Sequence, residues 1–231
     1  MSRDQILANL RTSLNANRPW LLNAATCAPH EPPPFVLPPE NDLAAQFAAE
    51  LTKLEGKAYR AATADEALVV IDRLIEETQA TSVISWDLDQ IRLPGLAELL
   101  TARGIVPAVA MTRGAERKER LQALEPIPIC ISGVELAIAE SGTLLLRHGP
   151  GRPRLASLLA PCHIAIVFAH QLVRGLGEAL ALLAERYSDD VFGPTSNITL
   201  ITGPSRTADI EMTLSLGIHG PPQLHVILVE G

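Results

Sequence analysis

The stretch "KAYRAATADEALVVIDRLIEETQATSVISWDLDQIRLPGLAELLTARGIVPAVA" (57–110) decides the fold class. It opens on "KAYRA", a short strand. "TADEALVVIDRLIEET" begins on Thr63 with Glu66 three residues later, the spacing of a capping box, and predicts a helix. "SVISW" reads as a second strand, and "IVPAVA" as a third. Between them "PGLAELLTARG" is a helix entered through proline and left at glycine. This β-α-β-α-β cadence with apolar strands predicts an α/β fold, a mainly parallel central sheet flanked by helices.

Upstream, "ENDLAAQFAAELTKLEG" (40–56) sets Leu43, Phe47, Leu51 and Leu54 on one helical face and ends at Gly56. Before it, "CAPHEPPPFVLPPE" (27–40) holds six prolines in fourteen residues. So many missing amide donors exclude ladder pairing, so the segment reads as an extended strap or linker. The amino terminus predicts a helix from Ser2 to about Asn15, with Ile6, Leu7, Leu10 and Leu14 on one face. That helix docks on a neighbouring subunit or on the main domain; both stay open. The chain therefore divides into a helix and strap, 1–39, and an α/β domain, 40–231.

Downstream, "GVELAIAESGTLLLRHG" (133–149) predicts a helix or turn into a strand, a tight turn at Ser141–Gly142, and a strand from Thr143 to Arg147. "HIAIVFA" (163–169) is apolar enough for a central strand. "QLVRGLGEALALLAERY" (171–187) aligns Leu172, Leu176, Leu180, Leu183 and Tyr187 as a helix, weakened by Gly175 and Gly177. "NITLIT" (197–202) and "LHVILV" (224–229) are the last strands.

Composition narrows the function. The 231 residues carry a net charge of -7 without a basic run, which argues against a nucleic-acid surface. No signal-peptide core and no apolar run of about 18 residues occurs, so no membrane span is expected and the cytoplasm is the expected compartment. Cys27, Cys130 and Cys162 are widely spaced with no Cys-x-x-Cys, so the chain has no local ligand set for an iron–sulfur cluster or zinc. Cys130 and Cys162, among apolar neighbours, read as buried thiols. No histidine pair has metal-ligand spacing, and Walker, Gly-x-Gly-x-x-Gly and Gly-x-Ser-x-Gly signatures are absent.

Three stretches can carry chemistry. In "TGPSRTADIE" (202–211), Gly203 brings open amides, Ser205 and Thr207 hydroxyls, and Arg206 a forked cation. A helix beginning near Thr207 would add its positive end, and the whole suits a phosphate or carboxylate. Asp209 and Glu211 hold Arg206 or accept substrate hydroxyls. The plainer alternative is a capped turn with a solvated arginine. In "AESGT" (139–143), Glu140 reads as a general base or nucleophile whose pKa rises with burial, with Ser141, Gly142 and Thr143 contacting a ligand. A surface glutamate at a turn is its alternative. His219, in "GIHGPP" (217–222), either donates to an anion or packs in its turn. His163 and His225 read as satisfied core residues. Both polar loops are expected at the carboxyl ends of the strands.

"AIAESGTLLL", "HIAIVFAHQLV" and "ITGPSRTADIEMTLSLGIHGPPQLHVILVEG" together resemble the LUD-domain family, in its branch of C-type lactate-utilisation proteins. The resemblance is strongest from about Ile131 to the end. It implies a fold similar to the sugar-phosphate isomerase (NagB/RpiA) and CoA-transferase superfamily. It also implies a part in oxidising L-lactate to pyruvate beside two companion proteins that carry the iron–sulfur clusters, with no cofactor in this chain. In related CoA-transferase-like folds a glutamate near a glycine turn forms an acyl intermediate, and Glu140 is the position that resembles it. Three roles follow: a subunit of a lactate-oxidising assembly that binds a small carboxylate or phosphate, a stand-alone enzyme on a sugar-phosphate or acyl substrate, or a non-catalytic interaction module. Self-association stays open.

Overall fold

A computed structural model describes residues 2–26, 33–108, 110, 116–187, 197–208 and 214–231. Two compact units divide at Pro32/Pro33. The first holds one helix, α1 (Arg3–Thr26), which runs longer than its apolar spacing predicts and passes through Pro19. Ile6, Leu10 and Leu14 are exposed along it.

The second unit begins with the strap from Pro33, followed by α2 (Leu43–Lys53), β1 (Lys57–Ala61), α3 (Ala64–Thr78) and β2 (Ser82–Ser85). Two short helices, α4 (Leu88–Ile91) and α5 (Leu96–Ala102), precede β3 (Val106–Ala108). Then come α6 (Arg117–Leu124), β4 (Ile129–Ser132), β5 (Leu136–Ile138), a 3-10 turn at Ala139–Ser141 and β6 (Thr143–His148). The chain continues through β7 (Cys162–Phe168), β8 (Leu172–Val173), α7 (Leu176–Tyr187) and β9 (Asn197–Ile201). A hairpin of β10 (Arg206–Ala208) and β11 (Leu214–Leu216) leads to β12 (Gln223–Val229).

Six strands form an all-parallel central sheet in the order β1-β12-β7-β4-β2-β3. The inner strands are apolar and buried along nearly their whole length, as a sheet covered on its faces requires. The last strand inserts between the first and β7, so the carboxyl-terminal segment completes the sheet. A second sheet, β8-β5-β6-β9, is mixed, with β5 and β9 antiparallel to β6. Its own small core joins Leu136, Ile138, Leu145 and Val173 to Ala179 and Leu183 of α7.

Local chemistry explains the boundaries. Asp42 caps α2 by accepting from the Ala45 amide at 3.0 Å. Thr63 caps α3 by accepting from Glu66 N, while the Glu66 carboxylate reaches one residue further back, to Ala62 N at 2.8 Å. The stretch predicted as one helix over 171–187 is divided: Leu172 and Val173 pair with β5, and the helix starts at Leu176. The reason lies in the strap. The Pro34 carbonyl accepts from Glu178 N at 3.1 Å, and a Cβ on Gly177 would collide with the Pro33 carbonyl. Gly175 likewise lies against Phe35 and Pro34. These glycines, which weaken a helix in isolation, admit the close approach of another chain segment. Gly142 has two reasons to be glycine: its φ is +60°, and a Cβ would stand 2.5 Å from the Leu51 amide nitrogen.

Candidate functional site

A cavity of about 210 Å³ opens at the amino ends of β7 and β12, between the two sheets. Ligand loops were expected at carboxyl ends, but "TGPSRT" follows β9, which belongs to the mixed sheet. No helix begins near Thr207 either. Residues 206–208 are strand β10, because the segment folds back on β11. The base of that hairpin is closed by Ser205, whose amide donates to the Pro221 carbonyl at 2.9 Å and whose carbonyl accepts from Gly217 N. The closure brings the 203–205 bend and the 219–221 bend to one cavity.

Gly203, Ser205 and His219 all line it. So do Thr199, Thr202 and His163, which the sequence pattern does not mark as site residues. His163 is buried, and one of its ring nitrogens, Nε2, shares a hydrogen bond with Ser132 Oγ at 2.8 Å. Burial, and then the neighbouring His148, push its pKa down to about 3, so the ring is neutral near pH 7. Thr199 Oγ1 shares a 3.1 Å bond with Nε2 of His148, whose own pKa burial lowers to about 4. The wall of the cavity is mainly apolar, with Leu158, Leu200, Ile201 and Leu224 among its lining, and carries the neutral ring of His163 and the Thr199, Thr202 and Ser205 side chains as polar groups.

The "AESGT" turn touches this cavity indirectly. Ser141 Oγ bonds Thr143 Oγ1 at 2.7 Å, and Thr143 Oγ1 bonds Thr202 Oγ1 at 2.8 Å. That hydroxyl chain ends on a cavity residue. Glu140 faces elsewhere. Its Oε2 accepts from Val36 N at 2.5 Å and Leu37 N at 3.1 Å, and its Oε1 from Leu176 N at 2.9 Å. It therefore ties the strap to the first turn of α7, answering amides that the helix start leaves without partners. Partial burial pushes its pKa up, but the Leu176, Val36 and Leu37 amides outweigh that and hold it below the usual carboxylate range. A general base needs the opposite shift.

Arg206 is also engaged away from the cavity. Its Nη2 donates to the Leu54 carbonyl and to Glu55 Oε2, the latter at 2.9 Å. The Thr207 backbone lies in β10 opposite Ser215. The Thr207 side chain, Asp209 and Glu211 lie outside the described residues.

A second polar cluster lies behind His148. Glu135, nearly buried, accepts from Arg152 Nη1 at 3.1 Å, Arg186 Nη1 at 3.4 Å and Tyr187 OH at 2.7 Å. Arg147 stacks on the Tyr187 ring at 3.8 Å, and the Trp86 ring meets His148 edge-on. Trp86 Nε1 and Arg152 Nε are buried with no hydrogen-bond partner among the described residues. Among those residues no three His, Cys, Asp or Glu side chains group as metal ligands, and no helix is long and apolar enough to cross a membrane.

The profile of the LUD domain matches residues 44–229. The chain belongs to the LUD-domain family. Curated relatives named lactate utilization protein C are 32% identical in Shouchella clausii and 34% identical in Halalkalibacterium halodurans. Each match spans 160 residues, 69% of this chain and 67% of the relative. The protein of that name in Bacillus subtilis is 38% identical over 113 residues, 49% of this chain and 47% of its own. A crystal structure of a DUF162 family protein from Deinococcus radiodurans superposes with a TM-score of 0.55 at 19% identity, covering 81% of this chain and 96% of that one. It shows a shared fold. The LUD-domain match starts inside α2, so the strap that Glu140 holds precedes it. Within the LUD domain, His163 had one visible signal: a polar residue near the start of an otherwise apolar strand.

Proposed function

We propose that this chain is the component of an L-lactate-oxidising system that carries no cluster of its own and binds a small anion at the 203–221 bends. One observation carries the reading: the relatives named lactate utilization protein C, 32% and 34% identical over more than two thirds of this chain. The division of labour follows from cysteine usage. Cys130 and Cys162 are buried, and burial pushes each thiol up to about 11, a poor start for cluster ligation. Electrons from lactate then pass to iron–sulfur clusters on companion proteins. Glu140, with both oxygens taken by backbone amides, favours a binding role here over a covalent reaction at that carboxylate.

The test is reconstitution. Companion iron–sulfur proteins from the same genome are mixed with L-lactate and an electron-accepting dye, with and without this chain. Electron transfer is expected to need the chain. An equal rate without it would refute the role.

A further inference from the structure

Trp86 follows β2 directly, and Glu135 stands just beyond β4. These strands are neighbours in the parallel sheet, yet the chain leaves them in opposite directions. After β2 it runs to β3 on one side; after β4 it passes through the mixed sheet to β7 on the other. Connections that diverge in this way open a crevice beyond the carboxyl ends of an α/β sheet, where such folds take ligands. The 149–152 turn is pinned to that edge. The Gly151 carbonyl accepts from Asp87 N at 2.8 Å, and Gly149 and Arg152 pair across the turn.

The crevice holds a surplus of donors. Trp86 is 1% exposed, and its Nε1–H and the Nε–H of Arg152 are buried with no hydrogen-bond partner among the described residues. Both groups only donate, so whatever meets them must accept. The Arg152 guanidinium lies 5.9 Å from the Trp86 ring centre, which sets the two donors at one locus. Charge points the same way. Glu135 is shared between Arg152 and Arg186, and Arg154 adds its charge beside His148. Asp87 packs against Gly151, so Arg152, Arg154 and Arg186 outnumber the two acids. A carboxylate offers two oxygens and one charge. A terminal phosphoryl group offers three oxygens and up to two charges, and guanidinium forks match it. Arg152 and Arg186 are 23% and 40% exposed, so the locus has an edge on solvent.

We propose that this crevice binds the phosphoryl group of a small phosphate monoester through Trp86, Arg152 and Arg186, with the ester oxygen toward solvent. The indole N–H and Arg152 Nε are covered, and the phosphoryl group reaches them as the Arg152 side chain shifts. Glu135, which also accepts from Tyr187 OH at 2.7 Å, positions the two guanidinium groups. None of these residues lines the cavity at the 203–221 bends, so the site is independent of the anion reading there.

The chain has two tryptophans, Trp20 and Trp86, so Trp20→Phe leaves the crevice indole as the sole reporter. Fluorescence titration of that full-length variant at constant ionic strength uses inorganic phosphate, methyl phosphate and L-lactate. Both phosphates are expected to shift Trp86 emission saturably, with half-saturation within about threefold of each other, because the ester oxygen makes no contact. L-lactate should need at least about tenfold more, the worth of one charge-assisted hydrogen bond. Arg152→Lys keeps the charge but loses Nε and the fork, and should weaken methyl phosphate by about tenfold. Trp86→Phe, read by calorimetry, keeps a packed ring and should weaken it by about threefold or more. That variant keeps the test decisive if Arg152→Lys shows no cooperative melt. The proposal is overturned by an emission shift that chloride reproduces, by L-lactate matching phosphate, by methyl phosphate failing to bind, or by undiminished affinity in Trp86→Phe.

Discussion

At the scale of single residues, the structure assigns the notable polar side chains to different tasks. Glu140 and Arg206 stand out in the sequence as a carboxylate before a glycine turn and a cation in a glycine-proline loop. Both spend their charge on backbone groups of distant segments. Glu140→Gln keeps an acceptor but loses the charge that three amides answer, and is expected to lower stability by about 1–2 kcal/mol. Hydrogen exchange should then speed at Val36 and Leu37 more than elsewhere; equal exchange in both proteins would refute the latch. Arg206→Ala removes a partly exposed pair and is expected to cost about 1 kcal/mol or less in a thermal melt. It should leave small-anion affinity within about twofold, because the guanidinium does not line the cavity. A tenfold loss would mean that the cation reaches the ligand. Neither partner set was legible in the sequence, since Val36 and Glu140 are 104 residues apart and Arg206 and Leu54 are 152 apart.

At the scale of elements, periodicity located most of the helices and central strands because those signals are local, but it did not mark α4, α6 or the inner strand β4. It failed at 171–187, where leucine spacing alone suggests an unbroken helix. There the strap and β5 override propensity: Leu172 and Val173 are drawn into the mixed sheet, and Gly175 and Gly177 clear space for Pro33–Phe35. Alanine usually stabilises a helix relative to glycine by about 1 kcal/mol. Gly177→Ala is expected to do the reverse, lowering the melting temperature and exposing the strap to proteolysis, because its Cβ meets the Pro33 carbonyl. A rise in melting temperature would show that the strap does not hold this position. The end of β9 taught the same lesson, as a hairpin follows where a helix start was expected.

At the scale of the whole molecule, three histidines, His148, His163 and His225, are buried and pushed down to about 4, 3 and 4, chiefly by desolvation. His225 shares a 3.0 Å bond with Tyr59 OH and stacks on its ring. The unfolded chain takes up their protons near pH 6.5, while the folded chain refuses them until much lower pH. Stability is therefore expected to be fully present above about pH 6.5 and to fall steadily as pH drops toward 4. Thermal melts at pH 7.5, 6 and 5 check this; a flat profile would contradict the buried neutral state, and His225→Asn should reduce the slope. What the sequence by itself determined is the parallel α/β architecture, because short apolar runs separated by capped amphipathic helices have few other ways to bury both faces of a sheet. Only the tertiary structure decided which polar groups share a site. The last strand enters between β1 and β7, and that closure sets the 219–221 bend beside the 203–205 bend and His163. Hydrogen bonds and desolvation act over a few ångströms in space, while sequence patterns report only neighbours along the chain.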